Sequence, residues 1–243
     1  MASDTGTASL IYSVPAVKPL NIMIFGATGM VGQGVLRECL AAADVTLVQT
    51  IGRNATGQRH PKLRDLVHRD LLDYSAVEPE LTGFDAGFFC LGVSSLRKSE
   101  AEYTRLTYEL TLAAARTLAR LNPGMTFVYV SGAGTDSTEH GRTMWARVKG
   151  RTENDLLRLP FKAVYLFRPG AIQPLHGIRS KTALYRLLYL PLTPVLGLLR
   201  LFFPARVVTT ESVGQAMLAV ARHGAPKPVL EAPDISALGR PTL

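Results

Sequence analysis

NIMIFGATGMVGQG, Asn21 to Gly34, sets a short apolar run, Ile22-Met23-Ile24-Phe25, directly before three glycines spaced three apart, Gly26, Gly29 and Gly32. The run suits a buried strand, and Val31 to Ala43 reads as a helix. Glycines at such a join permit a tight turn, let backbone approach a phosphate, and let the helix sit close on the strand. A helix N-terminus offers free N–H groups and the positive end of a dipole. Strand, turn and helix in that order predict a dinucleotide-binding turn, with a pyrophosphate held by backbone near Thr28, Gly29, Met30 and Val31. The alternative is an ordinary glycine-rich join, in which Thr28 only shapes the turn.

The rest of the chain continues the pattern. Val45 to Ile51, Leu63 to Arg69, Asp85 to Leu91, Met125 to Val130 and Ala163 to Phe167 read as strands. Helical spacing runs through Ser75 to Glu80, Glu100 to Leu121, Thr143 to Arg158 and Glu211 to Arg222. Apolar strands alternating with helices predict an α/β fold, a doubly wound parallel sheet of the NAD(P)-binding Rossmann type covered on both faces. Residues 1–20 read as a loose arm, 21–177 as the nucleotide-binding domain, and 178–243 as a small C-terminal helical substrate region packed on it. Within the last, Ile178 to Pro204 is rich in Leu, Tyr and Phe. Arg186, Arg200 and the breaks at Pro191, Pro194 and Gly197 argue against a membrane span. A substrate-covering or subunit-packing segment is preferred there over peripheral membrane contact.

Composition narrows the classes. The 243 residues carry 27 Lys and Arg against 19 Asp and Glu, a formal net charge of +8. The basic residues are scattered, without a Lys/Arg block or aromatic interleaving, so no nucleic-acid partner is expected. Two cysteines, Cys39 and Cys90, both within predicted core elements, form no disulfide framework and no metal-ligand spacing, which fits a cytoplasmic setting. The first twenty residues lack the charged start and continuous apolar core of a signal peptide.

The end of the second strand bears on cofactor choice. A carboxylate there binds a ribose 2′-hydroxyl, whereas arginine pairs with a 2′-phosphate. The sequence reads Ile51-Gly52-Arg53-Asn54, so Arg53 predicts NADP(H) over NAD(H), with Arg59 and Lys62 as aids. The competing reading makes Arg53 a solvated loop residue. Asp70-Leu71, after the third strand, is placed to meet the adenine amino group or to form a turn. Cys90-Leu91-Gly92 closes the fourth strand where small residues admit the cofactor, and Pro169-Gly170 ends the sixth beside the nicotinamide position or forms only a turn.

GATGMVG (Gly26 to Gly32), IGR (Ile51 to Arg53), FFCLG (Phe88 to Gly92), VYVSGAG (Val128 to Gly134), VKG (Val148 to Gly150) and FRPG (Phe167 to Gly170) follow one another in order. In these motifs the chain resembles the short-chain dehydrogenase/reductase superfamily, in its atypical branch of Tat-interacting-protein-like oxidoreductases and epimerase-like proteins. The resemblance covers about Asn21 to Gly224. It implies a serine that polarises a substrate carbonyl, matched by Ser131. It also implies a Tyr-x-x-x-Lys pair, in which tyrosine exchanges the proton and lysine binds ribose and lowers the tyrosine pKa. Lys149 matches the lysine, but Trp145 stands where the tyrosine belongs.

Indole is not a usable acid or base near neutral pH. Helical spacing keeps Trp145 and Lys149 on one face, so Trp145 reads as an apolar wall or a core anchor. Tyr103, Tyr129, a water held by Ser131, His140 and His176 are alternative proton sources, none with spacing that recommends it. Two functions remain open: an oxidoreductase acting on a small or apolar carbonyl or alcohol, and a non-catalytic NADP(H)-dependent sensor or scaffold. The helical faces around Glu100 to Leu121 and Thr143 to Arg158 suit a homodimer.

Overall fold

A computed structural model describes residues 18–178 and 207–240. The readings of residues 1–17, and of Ile178 to Pro204 beyond Ile178 itself, lie outside the described residues. Seven strands form one parallel sheet in the order β3-β2-β1-β4-β5-β6-β9. They are β1 (Leu20–Phe25), β2 (Val45–Gly52), β3 (Leu63–Val67), β4 (Ala86–Phe89), β5 (Thr126–Val130), β6 (Ala163–Arg168) and β9 (Val229–Glu231). A separate pair, β7 (Ala171–Gln173) and β8 (Val207–Thr209), is also parallel. The chain reverses its direction of travel across the sheet between β1 and β4, which opens a crevice at their carboxyl ends.

The period of two along each strand sorts side chains into two cores. Ile22 and Ile24 of β1, Phe88 of β4 and Val128 of β5 face one side. There they meet Val35, Leu36 and Cys39 of α1 (Met30–Ala41), Val213 and Met217 of α5 (Thr210–His223), and Ile235 of α6 (Ala232–Leu238). Met23, Phe25, Phe89, Phe127 and Tyr129 face the other way. They join Ala115 and Leu118 of α3 (Leu110–Leu121) and Leu156 of α4 (Met144–Leu156). Each large apolar side chain so buried contributes about 1.5–3 kcal/mol, which is why strands covered on both faces read as nearly continuous apolar runs.

The long helical stretch predicted from Glu100 differs from expectation. It begins as α2 (Glu100–Thr104), capped by the Ser99 hydroxyl on the Glu102 N–H, then widens into a π-helical turn, Arg105–Glu109, before α3. The Thr107 carbonyl of this turn accepts from the Thr111 hydroxyl of α3. The elements β7, β8, β9 and α6 carried no expectation from periodicity.

On the first face α1 crosses α5 at close range through Gly34 and Gly214. A Cβ at Gly34 would lie 2.6 Å from the Thr210 carbonyl oxygen, and one at Gly214 would lie 3.2 Å from the Val35 Cα. Gly34→Ala therefore forces two backbones apart. It should cost about 1–3 kcal/mol, the range for overpacking. At this size that lowers Tm by about 2–4 °C per kcal/mol in calorimetry. Gly124→Ala, where a Cβ meets nothing within 4 Å, should stay within about 0.5 kcal/mol of the parent.

Candidate active site

The glycine turn is built from backbone contacts that exclude side chains. Gly26 has φ of 77°, and a Cβ on it would fall 2.8 Å from the Leu91 nitrogen and 2.9 Å from the Cys90 carbonyl. At Gly32 a Cβ would lie 2.1 Å from the Gly26 oxygen. The Gly29 N–H donates to the Gly26 carbonyl at 2.9 Å, and Gly29 is the N-cap of α1. Gln33 Nε2 donates to the Thr28 carbonyl at 3.1 Å, bracing the turn from the first helical turn. The first N–H groups of α1, from Met30, Val31 and Gly32, thus open at the crevice. Across it, a Cβ at Gly92 or Gly132 meets nothing within 4 Å, so bare backbone lines the flank. That cradle, with no acidic residue in the first turn of α1, fits a dinucleotide diphosphate.

Arg53, directly after β2, is exposed and makes no ion pair among the described residues. The loop beyond it is pinned by Asp65, whose carboxylate accepts from the Thr50 hydroxyl, the Thr56 hydroxyl and the Thr56 N–H. Lys62 does not stand with Arg53, a correction to the reading of it as an aid. Its Nζ donates to the Ala42 carbonyl at 2.6 Å, capping the end of α1, where the helix leaves carbonyls unpaired. Asp70 takes the turn role: its carboxylate accepts from the Leu72 N–H at 2.9 Å, while Leu71 is buried in the second core. Cys90, Leu91 and Gly92 follow β4, and burial pushes the Cys90 thiol up to about 12, so it carries no thiolate at neutral pH. Pro169 and Gly170 separate β6 from β7, and the Pro169 carbonyl accepts from the Ala133 N–H at 3.0 Å.

Ser131 directly follows β5, and α4 brings Lys149 to it: Lys149 Nζ donates to the Ser131 carbonyl. Trp145 lies one turn earlier, with an indole carbon 3.5 Å from where a Cβ on Gly134 would sit, so its ring rests on the loop after β5. Gly150 lets α4 close on that loop, since a Cβ there would overlap the Asp136 carbonyl. Two elements of neighbouring topology thereby hold Ser131, Trp145 and Lys149 together.

Sequence reasoning passed over Glu153, four residues beyond Lys149. Its side chain is 1% exposed, and it is the hub of the site. It accepts from the Ser131 hydroxyl and from the Arg168 guanidinium, whose Nε lies 3.1 Å from both carboxylate oxygens. Arg168 also donates to the Ser137 hydroxyl at 2.6 Å and lies 3.6 Å from Glu231. The ends of β5, β6 and β9, the loop after β5, and α4 are joined through this cluster. The available signal was the helix period, which puts Glu153 on the face of Trp145 and Lys149; taken singly it reads as a solvated helix charge.

Ser131 has one hydroxyl proton, and both acceptors within reach, Glu153 and the Phe167 carbonyl at 3.2 Å, are protein groups. Tyr103 and Tyr129, 2% and 1% exposed, are buried behind the strand. Burial raises the Tyr129 pKa, with Tyr103 and Glu153 adding to the shift. His176 pairs with Glu211 at 2.6 Å, and His140 is exposed. Burial lowers the Lys149 pKa to about 8, against the pull of Glu153.

The NAD dependent epimerase/dehydratase family model matches residues 22–142, the stretch from the first strand through the loop after β5. Over that stretch the chain is similar to the NAD dependent epimerase/dehydratase family. Protein HTATIP2 of Rattus norvegicus is 26% identical over 155 residues, 63% of this chain and 62% of the rat protein, so the match spans less than two thirds of that relative. The mitochondrial protein FMP52-1 of Scheffersomyces stipitis is 24% identical over 194 residues, covering 77% of this chain and 84% of its own. The enzyme WbmF of Bordetella bronchiseptica, solved with NAD+, superposes with a TM-score of 0.66 at 16% identity, covering 91% of this chain and 77% of its own. Uronate dehydrogenase from Agrobacterium tumefaciens gives 0.61 at 18% identity, covering 88% and 76%. Both share the fold. Among the described residues no helix is long and apolar enough to cross a membrane.

Arg168→Met strands the buried Glu153 carboxylate without its guanidinium. Loss of one partner of a buried pair typically costs about 3–5 kcal/mol. Chemical denaturation should show a loss of that size, against less than about 1 kcal/mol for the exposed pair partner in Arg158→Met.

Proposed function

We propose that this chain is an NADP(H)-dependent oxidoreductase acting on a small or apolar carbonyl or alcohol. The observation that carries the reading is Lys149 bonded to the Ser131 carbonyl at the carboxyl ends of the strands that also present the glycine turn. A bound nicotinamide dinucleotide supplies the hydride. The amides of Met30, Val31 and Gly32 hold its diphosphate, and Arg53 pairs with the 2′-phosphate. Lys149 reaches the nicotinamide ribose, kept in place by Ser131. Glu153 and Arg168 fix the end of β5 against α4, so the geometry around the reacting carbonyl is set before substrate arrives. Trp145 forms an apolar wall on the substrate side of the loop at Gly134.

The preference for NADP(H) rests on Arg53 alone. A charge-assisted hydrogen bond contributes about 1.5–3 kcal/mol, equivalent to roughly 10- to 100-fold in affinity. Fluorescence titration should therefore show NADPH binding tighter than NADH by about that factor, with Arg53→Ala removing most of the difference. Tighter binding of NADH overturns the assignment.

Trp145 favours a second reading, a non-catalytic NADP(H)-dependent sensor or scaffold, since a binding protein keeps its nucleotide site after losing a proton donor. A panel of aldehydes, ketones and quinones separates the two. NADPH oxidation with any of them supports the enzyme. Tight NADPH binding without oxidation, together with partners captured from an extract only when NADPH is present, supports the sensor.

A further inference from the structure

We propose that the Lys149 ammonium is itself the catalytic acid of this site, giving its proton to the substrate oxygen in place of the missing tyrosine. The inference rests on the oxidoreductase reading above and names the proton source that reading leaves open.

Four observations converge on Lys149. First, Trp145 occupies the position one helical turn before it and has no proton to give near neutral pH. Second, the Ser131 hydroxyl is turned inward, with Glu153 and the Phe167 carbonyl as its acceptors. Third, Tyr103 and Tyr129 are sealed in the core, 2% and 1% exposed, and burial raises the Tyr129 pKa. Fourth, Lys149 has three N–H donors and one acceptor among the described residues, the Ser131 carbonyl. Two N–H groups remain to meet a ligand at the mouth of the crevice.

The surrounding charges make an acidic ammonium possible. Glu153, one turn further along α4, is the carboxylate nearest in sequence, yet no ion pair joins it to Lys149 within 4 Å among the described residues. Its oxygens are taken by Arg168 from β6 and by Ser131 just after β5. Glu231, at the end of β9, is likewise directed to Arg168. From α2 and β5 come the phenols Tyr103 and Tyr129, and Glu100 of α2 is paired with Arg147 of α4 at 2.7 Å rather than with Lys149. On the loop after β5, the Asp136 carboxylate accepts from Thr138 and the Gly141 N–H. Lys149 is thus half-buried without a dedicated counter-charge. That places its pKa near 8, close enough to neutrality for a general acid to be both charged and willing to release its proton.

In the reductive direction the carbonyl carbon gains a hydride from the reduced nicotinamide, its π pair moves to oxygen, and that oxygen takes a proton from Nζ. The products are the alcohol, the oxidised nucleotide and a neutral lysine, which regains its proton from solvent. The oxidative direction is the reverse, with neutral Lys149 as the base. Because the acid must be protonated, reduction falls as pH rises through the lysine pKa, and oxidation rises over the same window.

The test compares the intact chain with Lys149→Arg and Lys149→Met. Arginine keeps the positive charge and hydrogen-bond donors, but its proton is not released near neutral pH. Isotope-labelled lysine NMR reads the titration directly, without turnover. One lysine signal should titrate near 8 and vanish in Lys149→Met. NADPH affinity of Lys149→Arg should stay within a few-fold, while kcat with an aromatic quinone or medium-chain aldehyde falls by about 10²–10⁴. The parent's kcat for reduction should drop about tenfold per pH unit above the NMR midpoint. A Lys149 signal that titrates above pH 10, or a Lys149→Arg chain with the parent's kcat and pH profile, overturns the proton role and leaves the oxidoreductase reading intact. A parent that binds NADPH, shows the low lysine midpoint and turns over no carbonyl overturns the oxidoreductase reading, and the proton role with it.

Discussion

The Gly26 carbonyl and the Gly32 backbone stand closer than any side chain at position 32 would allow, and that contact governs the entry to the fold. A Cβ at Gly32 would come within 2.1 Å of that oxygen, so the turn closes only with hydrogen at the position. Gly26 itself abuts the Cys90–Leu91 peptide, which sets β1 against the end of β4. Turn, first helix and the two central strands are therefore located by backbone against backbone. Such contacts are rigid, and they direct the first amides of α1 at the crevice where the chain changes direction in the sheet.

A second constraint acts on the opposite side of the crevice. Glu153 is a buried carboxylate with a guanidinium and a hydroxyl as partners, one at the end of β6 and the other just after β5. An unpaired charge in that position is expensive, so β5, β6 and α4 have one arrangement that satisfies it. Ser131 and Lys149 are held in that arrangement. The consequence for chemistry is that the serine hydroxyl serves the scaffold while its carbonyl serves the lysine.

Much of the layout was legible from residues alone. The βα join at Gly26 to Gly32, the strands through Phe167 and the helices α1, α3, α4 and α5 follow from apolar spacing, because a two-faced sheet demands long uninterrupted apolar runs. The short elements were not legible. β7, β8 and β9 have three residues each, fewer than any period can register, and β9 follows the Pro226 and Pro228 breaks. The π-helical turn at Arg105–Glu109 was hidden because its residues are ordinary helix formers. Lys62 was misjudged because nearness to Arg53 in sequence says nothing of which helix end its ammonium reaches; it reaches the Ala42 carbonyl at the end of α1.

Local chemistry determined the dinucleotide turn, the arginine after β2, the serine and lysine, and the absence of the tyrosine between them. These are properties of residue type and spacing, which a linear chain already contains. Burial and partnership came only with the tertiary structure. A carboxylate on a helix is solvated or sealed according to what packs over it, and Glu153 is sealed by strands distant in sequence. The acidity of Lys149 follows from the same cause, since desolvation and the distribution of neighbouring charges exist only once α4 lies against β5 and β6.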